Sequence, residues 1–145
     1  MANTYKHILV GDDGSENANR AIQTAVAMAK ANDATLLIAM AIPKAYLTGS
    51  NYGGDDSLKP RQKAAAEKLL AIDVKYAKQQ GLTNINTAVC FGAPKKVIAV
   101  NLPHEFDIDL IILGATGRGQ IERALLGSMA LYTSVHAAAN VLIVR

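Results

Sequence analysis

Short apolar runs alternate with helical patterns along this chain of 145 residues, and the alternation strongly constrains the fold. Each strand-like run is rich in Ile, Leu and Val and is bounded by Gly, Pro, Asn or Asp. The order βαβαβαβαβ predicts an α/β fold in one domain, residues 1–145, with an open parallel sheet and helices on both faces. The predicted strands are Tyr5–Val10, Thr35–Ile42, Ile85–Phe91, Asp107–Leu113 and Val141–Val144.

Segments with a helical pattern lie between the predicted strands, and apolar residues recur along one face of each of the first two. In the first, the apolar positions between Ala21 and Ala29 fall on one side of a helix. The second, Arg61–Gln80, repeats through Ala65, Leu69, Ile72 and Tyr76, and Gly81 is its predicted C-cap. A short helix begins near Pro94, and Ser128–Ala138 forms the last.

Composition and charge exclude several classes of protein. Half of the residues are hydrophobic but only 5% are aromatic, which suits helices packed on a parallel sheet. The net charge of +3 is spread along the chain without the basic cluster of a nucleic-acid groove. A single cysteine, Cys90, provides neither a disulfide framework nor a thiolate metal cluster. No apolar run approaches about 18 residues and no leader pattern is present, so we expect a cytoplasmic protein without nucleic-acid or membrane partners.

Two of the predicted strands end in glycine-rich turns, Gly11–Ser15 and Gly114–Gly117. In open α/β sheets, ligands bind beyond the carboxyl ends of the strands, where the strand order reverses. A strand order of 3-2-1-4-5 with right-handed crossovers would place these two turns side by side. The sequence therefore predicts one crevice with the two turns as opposite walls.

The stretch from Gly114 to Ser128 has the character of a phosphate-binding loop. Glycine lets the backbone approach a ligand, and the start of a helix offers unpaired N–H groups to an anion. The stretch is not a P-loop, because no lysine lies between residues 97 and 145, and Glu122 stands where the dinucleotide fingerprint needs its third glycine. No Gly-x-Ser-x-Gly motif occurs, and the three histidines lack the spacing of metal ligands.

The spacing Gly114-x2-Gly117-x9-Gly127-Ser128 resembles the nucleotide-binding signature of the universal stress protein family. Other segments resemble this family in order along the whole chain: Ile8–Val10 with Asp13–Ser15, Gly92–Pro94, Asp109–Gly114 and Val141–Arg145. The resemblance implies a Rossmann-like sheet of the adenine nucleotide alpha hydrolase-like group. Because members that keep the glycine motif bind ATP, it also implies that the ligand is ATP, ADP or AMP.

The resemblance also assigns residues to the ligand. Asp13 would lie by the ribose or adenine, Met40 would offer its backbone to the adenine edge, and Gly114 would face the ribose. Gly117, Gly127 and Ser128 would hold the phosphates, and Met129 completes the predicted set. The family often has His-Val where this chain has Ala39-Met40, and Cys-Pro where it has Ala139-Asn140.

Charged residues beside these positions extend the predicted site. Arg118 lies inside the glycine stretch and offers a charge-assisted contact to phosphate, with a solvated side chain as the alternative. Asp13 is the candidate ligand of a Mg²⁺ ion bound with the nucleotide, since Mg²⁺ usually takes one or two carboxylates there.

Three functions remain open from the sequence. We expect a nucleotide-dependent regulatory protein of the stress response with slow or no hydrolysis, because no base or glutamine is evident near the phosphates. The alternatives are an ATPase or an adenylyl- or phosphoryl-transfer enzyme of the wider fold group, and an interaction module without nucleotide. The loop Lys44–Lys59 is expected to be either a lid over the crevice or a disordered insertion. The uniformly apolar Val141–Val144 predicts a homodimer through an edge strand, as family members commonly dimerise.

Overall fold

A computed structural model describes residues 5–44, 58–116 and 126–145. Within these ranges, five strands form one parallel sheet in the order β3-β2-β1-β4-β5, which confirms the predicted α/β fold. The strands are β1 (His7–Gly11), β2 (Thr35–Ile42), β3 (Ile85–Phe91), β4 (Leu110–Gly114) and β5 (Asn140–Val144). The helices are α1 (Glu16–Asn32), α2 (Leu58–Gln79), α3 (Pro94–Lys96), a π-helical turn (Val97–Asn101), α4 (Leu102–Glu105) and α5 (Ser128–His136).

The reversal of strand order lies between β1 and β4, as the sequence predicts. β1 pairs with β2 on one side and with β4 on the other, and all of these pairings are parallel. Val10 lies between Ile38 and Ile112, and β1 and β4 end one and two residues beyond this level, at Gly11 and Gly114. The turns that follow β1 and β4 therefore start side by side.

Each face of the sheet is covered by helices and buries its own apolar cluster. On the first face, α1 and α2 pack over alternate strand residues such as Ile8, Val10 and Ile38, all fully buried. On the second face, the π-helical turn and α4 cover Leu9, Leu37 and Ile111. Alternate residues of one strand thus serve opposite clusters, as expected for a sheet buried on both faces.

β4 begins three residues later than predicted, because the backbone of Asp107 and the side-chain contacts of Asp109 belong to the turn that precedes the strand. Asp107 has a φ of 52°, a left-handed conformation that a strand does not accommodate. The carboxylate of Asp109 accepts hydrogen bonds from the backbone N–H groups of Lys6 and His7, at 2.9 and 3.2 Å. These two contacts join the entrance of β4 to the entrance of β1.

The predicted buried face of α2 is wrong by one residue. Helical periodicity through Ala65, Leu69, Ile72 and Tyr76 predicted the core-facing side, but Leu69 is 41% and Ile72 is 64% exposed. The buried positions are instead Ala66, Leu70, Asp73 and Ala77. Both series have the spacing of a helix face, and the abundant alanines do not distinguish them. Because the second series contains the charged residue Asp73, the sequence made the first series look like the buried face.

The helix that starts at Pro94 is interrupted by one wide turn. The N–H group of Leu102 donates to the carbonyl of Val97, five residues earlier. Pro103 has no N–H group to donate to the carbonyl of Ala99, which explains why the regular α-helical pattern fails at this point. The wide turn keeps Ile98 buried against the sheet near the end of β1. None of the helices in the described ranges is both long and apolar enough to span a membrane.

Candidate functional site

An open crevice of about 530 Å³ lies beyond the carboxyl ends of the central strands, where the predicted site was expected. A volume of this size is in the range of small-molecule sites in proteins. Its walls come from the turn after β1, the end of β2, the first half of α2, the turn after β4 and the start of α5. The predicted site residues that line it are Asp13, Met40, Gly114, Gly127, Ser128 and Met129.

The turn after β1 directs two adjacent aspartates into different surroundings. The carboxylate of Asp12 accepts the N–H group of Gly14 at 2.8 Å, and that of Asp13 accepts the N–H group of Ser15 at 2.9 Å. Gly14 has a φ of 82°, a conformation that favours glycine. Ser15 then caps α1 by accepting the N–H group of Ala18. As a result Asp12 is buried, whereas Asp13 is exposed on the rim of the crevice.

The end of β2 forms an apolar side of the crevice. Met40 is 9% exposed and lies in the first apolar cluster, so its side chain serves the core. The carbonyl of the preceding residue, Ala39, accepts the N–H group of Asp12 at 2.9 Å. This hydrogen bond ties the end of β2 to the turn after β1.

Gly114 is required by the packing of α1 in addition to any role toward a ligand. A Cβ atom at this position would lie 2.7 Å from the backbone carbon and 2.8 Å from the backbone oxygen of Asn17. The first turn of α1 therefore lies so close to β4 that position 114 has no room for a Cβ atom. Next to it, the Asn17 amide donates to the hydroxyl of Thr116, which also lines the crevice.

The start of α5 faces the crevice with its backbone. Gly127 is the N-cap and donates its N–H group to the carbonyl of Ala115 at 2.7 Å, while Ala115 donates to Val144 at 2.7 Å. Gly127 provides no side-chain cap to the helix. The N–H groups of the first helical turn have no acceptor within the helix, and Ser128 and Met129 belong to that turn. The crevice therefore meets a helix N-terminus, which favours an anion.

Several predicted features lie outside the described residues. These are Gly117 and Arg118 of the glycine motif and residues 45–57 of the predicted lid. Lys59, predicted as the end of that loop, belongs to α2, and its ammonium group lies 5.0 Å from the centre of the Phe91 ring.

Sequence reasoning missed the contribution of α2 to the site. Gln62, Ala65 and Leu69 line the crevice from this helix, and Pro94 and Ile98 line it from the second face of the sheet. The exposure of Leu69 is explained by this position, because its side chain borders the crevice rather than the core. The sequence did contain one signal for this contribution: α2 has more apolar residues than one buried helix face needs.

Two aspartates among the described residues, Asp12 and Asp73, have buried side chains. Asp73 of α2 is 7% exposed, and its Oδ2 atom has no hydrogen-bond partner among the described residues. Burial, followed by the neighbouring carboxyl group of Asp12, raises the pKa of Asp73 to about 8. Among the described residues, no group of three or more His, Cys, Asp or Glu is placed to hold a metal ion.

Comparison with known proteins agrees with this architecture. The family model described as the universal stress protein family matches residues 4–145. A putative universal stress protein of Staphylococcus aureus (strain USA300) is 38% identical over 143 residues, which are 98% of this chain and 85% of that protein.

Two solved structures are similar along nearly the whole chain. The universal stress protein UspA from Lactobacillus plantarum is 29% identical, with a TM-score of 0.81, and the match covers 97% of this chain and 98% of that one. A universal stress protein in complex with cAMP is also 29% identical, with a TM-score of 0.72 and a match that covers 97% of each chain. The chain belongs to the universal stress protein family.

Proposed function

We propose that this protein binds an adenine nucleotide, ATP in the first instance, and acts as a nucleotide-dependent regulatory module of the stress response. The observation that carries the proposal is the crevice at the carboxyl ends of β1 and β4, which is lined in part by the N-terminal residues of α5. Backbone N–H groups at a helix N-terminus bind phosphate without a lysine. The similar universal stress protein solved with cAMP holds an adenine nucleotide in the same fold.

The ligand's parts have distinct places in this proposal. The adenine lies in the apolar half of the crevice, between the β2 end at Met40 and Leu69 of α2. The ribose lies near Asp13 and Gly114, and the phosphates extend to Gly127, Ser128 and Met129. Gly117 and Arg118, outside the described residues, are proposed as further phosphate contacts.

A metal ion would depend on the nucleotide for most of its ligands. Asp13 is exposed and one carboxylate oxygen already accepts the N–H group of Ser15, so the other oxygen is the one proposed to contact Mg²⁺. Asp12 fits less well, because its carboxyl group is buried and accepts the N–H group of Gly14. Among the described residues, Asp13 is the carboxylate proposed for the ion, consistent with an ion held largely by phosphate oxygens and water.

Nucleotide binding is tested by mass spectrometry of the small molecules released when the purified protein is denatured, together with thermal unfolding. We expect an adenine nucleotide in the released fraction and a stabilisation of about 2.7 kcal/mol at an ATP concentration one hundred times the Kd. GTP at the same concentration is the control for nucleobase preference. If no nucleotide is released and ATP leaves the Tm unchanged, the proposal is wrong.

Turnover distinguishes regulation from enzymatic activity. We expect steady-state ATP hydrolysis with Mg²⁺ to stay below about 1 s⁻¹, the low end for enzymes. Faster hydrolysis, or transfer of the adenylyl or phosphoryl group to an acceptor, would instead support an enzyme of the adenine nucleotide alpha hydrolase-like group.

We also propose that the protein forms a homodimer through β5 and the adjacent surface of α5. β5 is an edge strand of the described sheet, and its residues Val141–Val144 are only partly buried. Two large apolar side chains of α5, Leu131 and Val135, are 55% and 70% exposed. A two-fold partner would cover both the strand edge and these side chains.

The dimer predicts a matched pair of charge substitutions. Val135→Glu places a charge in the proposed interface and should convert the dimer to a monomer in sedimentation velocity at tens of micromolar. Ile72→Glu is the control, because Ile72 is 64% exposed on α2, which packs on the opposite face of the sheet. We expect this control to remain dimeric. A monomeric wild-type protein, or dissociation by both substitutions alike, would contradict the interface.

A further inference from the structure

Thr116 lines the crevice and stands at the end of a chain of hydrogen bonds that begins on α1. The guanidinium Nη2 atom of Arg20 donates to the Oδ1 atom of Asn17, three residues earlier on the same helix. The Nδ2 atom of the Asn17 amide donates in turn to the Oγ1 atom of Thr116, which follows β4. The chain therefore joins the first two turns of α1 to the wall of the crevice beside Gly114.

The donors and acceptors in this chain determine the direction of each bond. A guanidinium carries N–H donors and no acceptor, so the Asn17 atom that faces Arg20 must be the amide oxygen. The amide nitrogen then faces Thr116, whose hydroxyl oxygen must accept its hydrogen. A hydroxyl has a single hydrogen, which cannot lie along the bond that its own oxygen accepts. The O–H group of Thr116 is therefore directed away from Asn17 and is offered as a donor in the crevice.

The backbone on both sides of these bonds is held in place by packing and by hydrogen bonds. A Cβ atom at Gly114 would lie 2.7 Å from the backbone carbon of Asn17, so the first turn of α1 lies directly against the end of β4. The next residue, Ala115, donates its N–H group to the carbonyl at the end of β5 and accepts the N–H group of Gly127, both at 2.7 Å. The Thr116 hydroxyl is thus oriented before a ligand binds, which lowers the cost of binding.

A donor held in this way suits a phosphate oxygen better than a ribose hydroxyl. A phosphate oxygen carries negative charge and only accepts hydrogen bonds, and bonds to charged acceptors are the stronger ones. The guanidinium of Arg20 places a positive charge at the far end of the chain, and hydrogen bonds in a chain polarise one another. Both effects strengthen the Thr116 O–H group as a donor to an anion.

We propose that the Thr116 hydroxyl binds the phosphate group bonded to the ribose, and that Asn17 and Arg20 are positioning residues that direct its hydrogen there. Because this role requires a nucleotide in the crevice, with its ribose near Gly114, it rests on the proposed function. Thr116 follows Gly114 by two residues, which favours the first phosphate of the nucleotide over the more distant ones. The crevice should therefore bind a 5′-phosphorylated nucleoside in preference to the nucleoside itself.

Calorimetric titration with AMP and with adenosine tests the role of Thr116, since these two ligands differ only in the phosphate group. Thr116→Val replaces the hydroxyl with a methyl group of similar size. We expect this variant to bind AMP about tenfold more weakly than wild type and to keep the wild-type affinity for adenosine. Thr116→Ser keeps the hydroxyl and is the matched control, so its affinity for AMP should stay close to that of wild type.

Asn17→Asp tests the positioning role, because a carboxylate then replaces the amide donor. The carboxylate would accept the Thr116 O–H group and turn it away from the phosphate. We expect AMP binding to weaken about tenfold while adenosine binding is kept. Combination with Thr116→Val separates this effect from the added negative charge, since Asn17→Asp should weaken AMP binding much less once the hydroxyl is absent. Asn17→Asp also tests the hydroxyl if Thr116→Val does not fold.

The proposed nucleotide site and the role of Thr116 fail in different ways. If the wild-type protein binds neither AMP nor adenosine, the crevice is not a nucleotide site and both proposals are wrong. If wild type binds AMP but Thr116→Val has the same affinity, or binds AMP and adenosine more weakly alike, the role of Thr116 alone is overturned. Equal effects of Asn17→Asp with and without the Thr116 hydroxyl would overturn the positioning role.

Discussion

Gly114→Ala should destabilise the protein by about 3 kcal/mol, even though the sequence assigns this glycine to the ligand. The added Cβ atom would lie 2.7–2.8 Å from atoms of Asn17, including its backbone carbon and oxygen. Backbone in the first turn of α1 cannot move aside as a flexible side chain can. The clash would therefore push α1 away from β4, and it would disturb the contact between Asn17 and Thr116.

Gly14→Ala is the matched control, since Gly14 belongs to the opposite wall of the same crevice. No atom lies within 4 Å of the Cβ that this substitution would add. Its cost comes only from the φ of 82°, about 1 kcal/mol for a residue other than glycine. Chemical denaturation of the ligand-free variants measures both costs. Equal stability of Gly114→Ala and wild type would mean that the glycine serves ligand binding alone.

The parts of the fold that depend on local pattern were predictable from the sequence. β2 and β3 have the predicted bounds because their apolar runs are framed by loop residues on both sides. The strand order followed from topology rules and from the two unusual turns at the ends of β1 and β4. The same reasoning located the crevice, because ligand sites in such sheets lie where the strand order reverses.

The features that depend on contacts between distant segments were not predictable. The packing role of Gly114 depends on the approach of Asn17, which lies 97 positions earlier in the sequence. Asp73 is buried on α2, and a single sequence gives no sign of this because an aspartate is usually exposed. This buried aspartate made the correct helix face look less apolar than its neighbour, which explains the error of one residue.

That error yields a test in which adjacent leucines of α2 should behave in opposite ways. Leu70 is 2% exposed in the first apolar cluster, whereas Leu69 is 41% exposed and lines the crevice. Leu70→Ala would leave a cavity and should lower the free energy of unfolding by about 3 kcal/mol. Leu69→Ala removes a side chain that is partly in water, so its effect on stability should be below about 1 kcal/mol.

Ligand binding should respond in the reverse order. If the adenine lies against Leu69 as proposed, Leu69→Ala should weaken the affinity for ATP about fivefold, since a bound base covers part of that side chain. Leu70→Ala should leave the affinity of the folded fraction close to that of wild type, because Leu70 is among the core residues and not those lining the crevice. Denaturation and calorimetry on the two variants give all four values. A large loss of stability in Leu69→Ala would mean that the helix face containing Leu69 is the buried one. Unchanged ATP affinity in this variant would mean that the adenine does not contact Leu69.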